Sequence, residues 1–141
     1  VIVVIDASVV LKWLIQDPER EAGTEKATRL MASVASGEQA ALQPIHWLAE
    51  VGAVLARESA ETAPDDVTML CALELPTADD PLLLRRASEL AIELKQHLFD
   101  TLYHAIALES TDADTTLITS DQRYLRAARH KGRVIDLMDW A

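Results

Sequence analysis

A single cysteine, Cys71, stands in a chain of 141 residues. One thiol cannot build a disulfide framework or a cysteine-based zinc site within the chain, which fits a reducing, cytoplasmic setting. Aromatic residues make up 4% of the sequence, so the core has to be assembled mainly from Leu, Val, Ile and Ala. No apolar run approaches the roughly 20 residues of a membrane span, and no signal peptide precedes the first apolar stretch. Repeats, low-complexity segments and linkers are missing as well, and residues 1–141 suffice for one domain. Positive charge is scarce: thirteen Lys and Arg face twenty-three Asp and Glu, a formal net charge of −10. That balance argues against broad nucleic-acid binding. The scarcity is uneven, because Arg123, Arg126, Arg129, Lys131 and Arg133 follow one another with no acid between them. A basic tip therefore sits on an acidic body.

What is present begins with residues 1–8, VIVVIDAS. Unbroken β-branched residues running into an aspartate read as a buried strand of a parallel sheet. Asp6 then stands at the carboxyl end of that strand, the edge where open α/β sheets bind ligands. A buried carboxylate there needs a hydrogen bond, a counter-charge or a metal. Further along, helical spacing of apolar residues predicts helices over 8–16, 21–36, 45–59, 64–73, 80–96, 100–110 and 120–131. Asp17-Pro18 breaks the first of them, acids fill the first turn of the second, Asp80 caps the fifth and Ser120 caps the last. Strands are expected at 115–119 (TTLIT) and 133–137 (RVIDL), with short ones within 40–43 and 73–77. Cys71, among Met69, Leu70 and Leu73, reads as a core thiol. Strands alternating with helices indicate an α/β fold with a parallel sheet.

Four acids share one situation. Asp6 ends a strand, Asp121 follows TTLIT and opens a helix on its inward side, Asp100 opens another helix, and Glu50 borders the apolar stripe of the helix at 45–59. Carboxylates gathered at strand ends repel one another unless a cation lies between them, and at least one should have a raised pKa. Oxygen ligands with water suit Mg²⁺ or Mn²⁺, an ion that activates water and neutralises a phosphoryl group. Ser8 and Thr119, each two residues from an acid, are placed either to orient the carboxylates or to satisfy backbone groups. A competing metal reading takes His97, Asp100 and His104, spaced H-x2-D-x3-H, as the ligands of a zinc-dependent hydrolase. His46, four residues before Glu50, reads as a rim or packing residue.

The blocks VIVVIDASVVLKWL, PIHWLAEVGAVL, HLFDTLYHAIAL and LITSDQRYLRAA, in that order, resemble the PIN-domain family, and within it the VapC-type toxin ribonucleases. The resemblance implies a three-layer α/β/α sandwich around a central parallel sheet. It also implies a Mg²⁺- or Mn²⁺-dependent endoribonuclease, the toxin of a type II toxin–antitoxin pair, forming a homodimer and bound by a cognate antitoxin. Asp6, Glu50, Asp100 and Asp121 match the family's four acids in turn, Thr119 the threonine of its T-x-D and Ser8 the hydroxyl after the first acid. Ser120 and Gln122 stand where some relatives carry a further acid. The implied chemistry is in-line attack of a metal-activated water on an RNA phosphodiester, leaving a 5′-phosphate and a 3′-hydroxyl. Asp6, Asp100 and Asp121 would hold the ion, and Glu50 would hold it or orient the water. Arg123 and Arg126, on one face of the helix that Asp121 opens, would bind the RNA backbone. A reading of another class keeps the PIN fold as a binding protein without catalysis.

Overall fold

A computed structural model describes residues 1–16 and 23–141. The expected break at Asp17-Pro18 and the expected helix start at Glu21 lie outside the described residues. In chain order the elements are β1 (Ile2–Ile5), α1 (Ala7–Leu14), α2 (Thr24–Ala35), β2 (Ala40–Ala41), β3 (Gln43–Pro44), α3 (Trp47–Glu58) and α4 (Ala63–Ala72). They continue with β4 (Thr77–Ala78), α5 (Pro81–Leu94), α6 (Leu98–Glu109), β5 (Thr116–Thr119), α7 (Gln122–Ala128) and β6 (Val134–Asp136). Short 3-10 turns at Arg129–Lys131 and Leu137–Asp139 flank β6.

The main sheet has the order β2-β1-β5-β6 and is parallel throughout. Val4, Ile5 and Ile118 are wholly buried, so both faces of the central strands need cover and helices supply it. Helix α6 lies on β1, β5 and β3 with α5 packed against it, while α1 contacts β5 and carries α2 and α3. The result is a three-layer α/β/α sandwich. No helix among the described residues is long and apolar enough to cross a membrane.

The order of strands places the site. From β1 the chain crosses to β2 on one side, and from β5 it crosses to β6 on the other. The two crossovers diverge between β1 and β5, which opens a crevice beyond their carboxyl ends. Val3, Val4 and Ile5 pair with Thr116, Leu117 and Ile118, and Asp6 N–H continues the ladder to the Ile118 carbonyl at 3.0 Å. Asp6 and Thr119 therefore leave the sheet side by side.

A second, two-stranded sheet pairs Gln43 with Thr77 and Pro44 with Ala78. The strand expected within 73–77 thus forms at its far end, as β4. Where β3 turns away, the buried Gln43 side chain takes the place of a neighbouring strand. Its Oε1 accepts from Ile5 N–H at 2.7 Å and its Nε2 donates to the Ile5 carbonyl at 2.8 Å. Cys71 is exposed, against the expectation of a core thiol. Helix α4 buries Ala63 and Leu70, and a step of one residue from Leu70 turns Cys71 by about 100° to solvent.

Candidate active site

Asp6 is 8% exposed and holds α1 as its N-cap. Three donors converge on one oxygen, Oδ2: the Ser8 N–H at 3.2 Å, the Ser8 hydroxyl at 2.5 Å and the Thr119 hydroxyl at 3.1 Å. Among the described residues no donor is bonded to its Oδ1. The Thr119 oxygen in turn accepts from Asp121 N–H at 3.0 Å, and Ser8 Oγ accepts from Ser120 N–H at 3.0 Å. The two hydroxyls thus stitch the ends of β1 and β5 together. Asp121 itself is the N-cap of α7, accepting from Tyr124 N–H at 3.1 Å. The expected cap, Ser120, has its Oγ buried with no hydrogen-bond partner. Asp121 caps instead because its carboxylate reaches the third N–H of the helix from an extended backbone.

Glu50 and Asp100 reach the crevice from helices. Helix α6 begins at Leu98, two residues before the expected start, so Asp100 lies within its first turn, where the helix dipole favours an acid. Burial pushes the Asp6 carboxyl up to about 6, and repulsion from Asp100 and Glu50 adds to it against the Ser8 hydrogen bond. Asp100 is raised too, first by burial, then by Glu50 and Asp121, with His97 and His46 pulling the other way. The Tyr103 and Tyr124 hydroxyls are raised by burial and by the same carboxylates. Crowding of like charge is therefore real at this site, although burial contributes more of the shift than repulsion does.

His46 organises the Glu50 side. Its Nε2 lies 3.2 Å from the Phe99 carbonyl and 2.9 Å from Glu50 Oε2. Both neighbours are acceptors, so Nε2 carries the proton. The N–H is directed at the carbonyl, and Glu50 Oε2 stays buried without a hydrogen bond. The buried Tyr103 hydroxyl lies beside Glu50 and completes no hydrogen bond either. Among the described residues, the buried side-chain atoms lacking a partner are His46 Nδ1, Glu50 Oε2, Tyr103 Oη and Ser120 Oγ. Two border Glu50, a third is its own oxygen, and the fourth sits between Thr119 and Asp121. Natural interiors leave few such atoms unpaired, and the three orphans gathered at Glu50 call for water or an ion. Among the described residues no three His, Cys, Asp or Glu side chains stand close enough to enclose an ion unaided. This donor set fits Mg²⁺ or Mn²⁺ held by one or two carboxylates through a partial water shell. It does not fit a closed protein cage.

The zinc reading fails on His104. That ring is wholly buried; Nε2 donates to the Gly132 carbonyl at 2.8 Å, and Nδ1 accepts from the Tyr124 hydroxyl at 3.0 Å. Burial lowers its pKa and keeps it neutral, with no lone pair left for a metal. The basic tip also contracts. Lys131 pairs with Glu93 at 2.5 Å, and the Arg133 guanidinium donates to the carbonyls of Ala107 at 2.7 Å and Ser110 at 3.0 Å, closing the end of α6. Arg123, Arg126 and Arg129 are exposed and make no ion pair among the described residues, and they follow Asp121 along α7 and the turn after it. Two groups went unrecognised in the sequence, Gln43 behind Ile5 and His46 as the neighbour of Glu50 tied to the Phe99 carbonyl. Only the four-residue spacing of His46 and Glu50 on one helix hinted at either.

The PIN-domain family model matches residues 3–130. The crystal structure of PAE2754 from Pyrobaculum aerophilum is similar, with a TM-score of 0.64 at 18% identity, covering 98% of this chain and 90% of that one. At that identity the likeness speaks for the fold alone. No curated protein matches the sequence at a significant level. PIN domains are in general metal-dependent nucleases that act on nucleic acid, in keeping with acids at the carboxyl ends of a parallel sheet. The matched span takes in Asp6, Glu50, Asp100 and Asp121 together with the strands and helices that present them, and the chain belongs to the PIN-domain family.

Proposed function

We propose that this PIN-domain protein is a Mg²⁺- or Mn²⁺-dependent endoribonuclease, and that Asp6, Glu50, Asp100 and Asp121 form its catalytic centre. The observation that supports this most is the gathering of orphaned buried polar atoms around acids whose charge the protein leaves unbalanced. Asp6, Asp100 and Asp121 would hold the ion, one or two of them directly and the rest through its waters, with Glu50 holding it or orienting a water. When bound, a divalent ion lowers the pKa of water and neutralises charge on a phosphoryl group. The chain's own residues do the rest. Ser8 and Thr119 occupy Asp6 Oδ2, so Oδ1 is the oxygen that would serve the ion. Glu50, whose Oε2 is buried against His46, would present its other oxygen to the attacking water and fix its line of approach. Arg123 and Arg126 draw the RNA backbone toward the amino end of α7, where Asp121 stands. In-line attack then leaves a 5′-phosphate and a 3′-hydroxyl.

The wider proposal is a toxin of a type II toxin–antitoxin pair, of the VapC type, acting in the cytoplasm as a homodimer and silenced by a cognate antitoxin. It rests on the sequence blocks around the four acids. Metal-stripped protein incubated with end-labelled single-stranded RNA tests the enzymatic part. Cleavage that appears only with Mg²⁺ or Mn²⁺ and yields 5′-phosphates supports the reading; DNA cut as readily as RNA would reject ribonuclease specificity. Growth arrest on expression, relieved by the product of the neighbouring reading frame, tests the toxin part.

A further inference from the structure

Phe99 is the chain's single phenylalanine, and it is 59% exposed directly before Asp100. Its ring stacks on the His46 imidazole, with centroids 5.0 Å apart and planes 27° from parallel. Tyr103 meets the other part of the imidazole edge-on, at 5.2 Å, and the Phe99 carbonyl accepts from His46 Nε2. The phenyl ring is therefore held firmly from within and open outward. Ile45, 60% exposed, precedes His46 and adds apolar surface beside it. The other large exposed apolar side chains among the described residues are Leu82, Leu84 and Ile92 on α5, Met69 on α4, Met138 after β6 and Val1 at the end of β1 opposite Asp6. Single exposed apolar residues are ordinary. An aromatic ring stacked on the histidine that lies beside Glu50, and adjoining Asp100 in the chain, is not.

We propose that Phe99 is a stacking platform for one unpaired base of the substrate, next to the phosphate that faces Asp6 and Asp100. The inference rests on the nuclease reading above and names its substrate class, single-stranded or looped RNA. Two physical arguments lead there. Without the ion the acids of the crevice repel phosphate, so an uncharged contact beside them adds affinity that charge there does not supply. Stacking on an aromatic ring supplies such affinity for any base, because every base has a π-face. A base can reach the ring only when it is unpaired and splayed from its neighbours, which excludes a continuous duplex.

Binding of a short fluorescent single-stranded RNA to Asp6→Asn protein tests the platform without cleavage. The comparison sets this parent against the same protein carrying Phe99→Ala or Phe99→Tyr, with an abasic residue moved along the RNA. Phe99→Ala should weaken binding about tenfold, by the same factor at low and high salt, and Phe99→Tyr should restore it to within about twofold. At one abasic position the parent and Phe99→Ala should bind alike. Equal affinity of parent and Phe99→Ala on intact RNA would overturn the proposal. A deficit that persists at every abasic position would overturn it too, by marking general damage to the site. So would a drop in sedimenting mass on Phe99→Ala, which would assign the ring to contact with a second copy of the chain. Failure of the nuclease reading looks different: wild-type protein would cut nothing with metal present, whatever the Phe99 dependence of binding.

Discussion

The Thr119 hydroxyl donates to Asp6 Oδ2 at 3.1 Å and accepts from Asp121 N–H at 3.0 Å. One side chain thereby couples the acids at the ends of β1 and β5. Thr119→Val keeps the volume and removes both bonds, leaving a buried carboxylate short of a donor and a backbone N–H unpaired. The expected loss is about 1–3 kcal/mol of stability and about 10–100-fold in Mn²⁺ affinity. Thr119→Ser should recover most of both. Urea unfolding and calorimetric Mn²⁺ titration measure them.

Acid burial gives the metal-free protein a pH signature. The folded Asp6 carboxyl titrates at about 6 against an ordinary 3.8, so the folded form holds more protons between those values. Its contribution favours folding below about pH 4 and declines as pH rises through 6, by at most about 3 kcal/mol. Asp100 shifts in the same direction. Melting temperatures of metal-stripped protein should therefore fall between pH 4.5 and 7.5 by more for wild type than for Asp6→Asn. Millimolar Mn²⁺ should restore the wild type at pH 7.5. Parallel pH profiles for the two proteins would contradict the assignment.

The unpaired arginines of α7 make a separate expectation. Arg123→Glu with Arg126→Glu should weaken single-stranded RNA binding at least about tenfold at low salt. It should also lower the salt slope by about 1.4, for two lost phosphate contacts. Mn²⁺ binding should persist. Filter binding in an Asp6→Asn background across a salt series reads both quantities.

Gln43 stands behind the site. Its amide makes both hydrogen bonds that a neighbouring strand would have made to Ile5, one residue before Asp6. Gln43→Leu should destabilise the protein by about 2–4 kcal/mol, because it leaves two buried backbone groups unsatisfied. The midpoint of chemical unfolding measures it.

These residues also show where the sequence was legible. Asp6 and Asp121 stood out because an apolar strand running into an acid is a local pattern, and the parallel sheet followed from that pattern. Glu50 and Asp100 were visible through their place on amphipathic helices. Gln43 was not, since its partner lies 38 residues away and nothing in a polar residue on a short strand announces a long-range amide pair. The basic run looked uniform in one dimension, yet Arg133 closes α6 and Lys131 pairs with Glu93, while Arg123, Arg126 and Arg129 make no ion pair among the described residues. Cys71 and Ser120 were each misjudged by one residue. On a helix that step turns a side chain from core to solvent, and at a helix start it moves the cap from one residue to the next.

The most direct test of the account is Mn²⁺ binding measured by calorimetry on the same preparations assayed for RNA cleavage. Wild type, Asp6→Asn, Asp100→Asn and Asp121→Asn are compared, with folding checked by circular dichroism. The account predicts that each substitution lowers Mn²⁺ affinity and abolishes cleavage while the fold persists, and that chelator silences the wild type. Cleavage undiminished in excess chelator, or full Mn²⁺ affinity in all three variants, would contradict it.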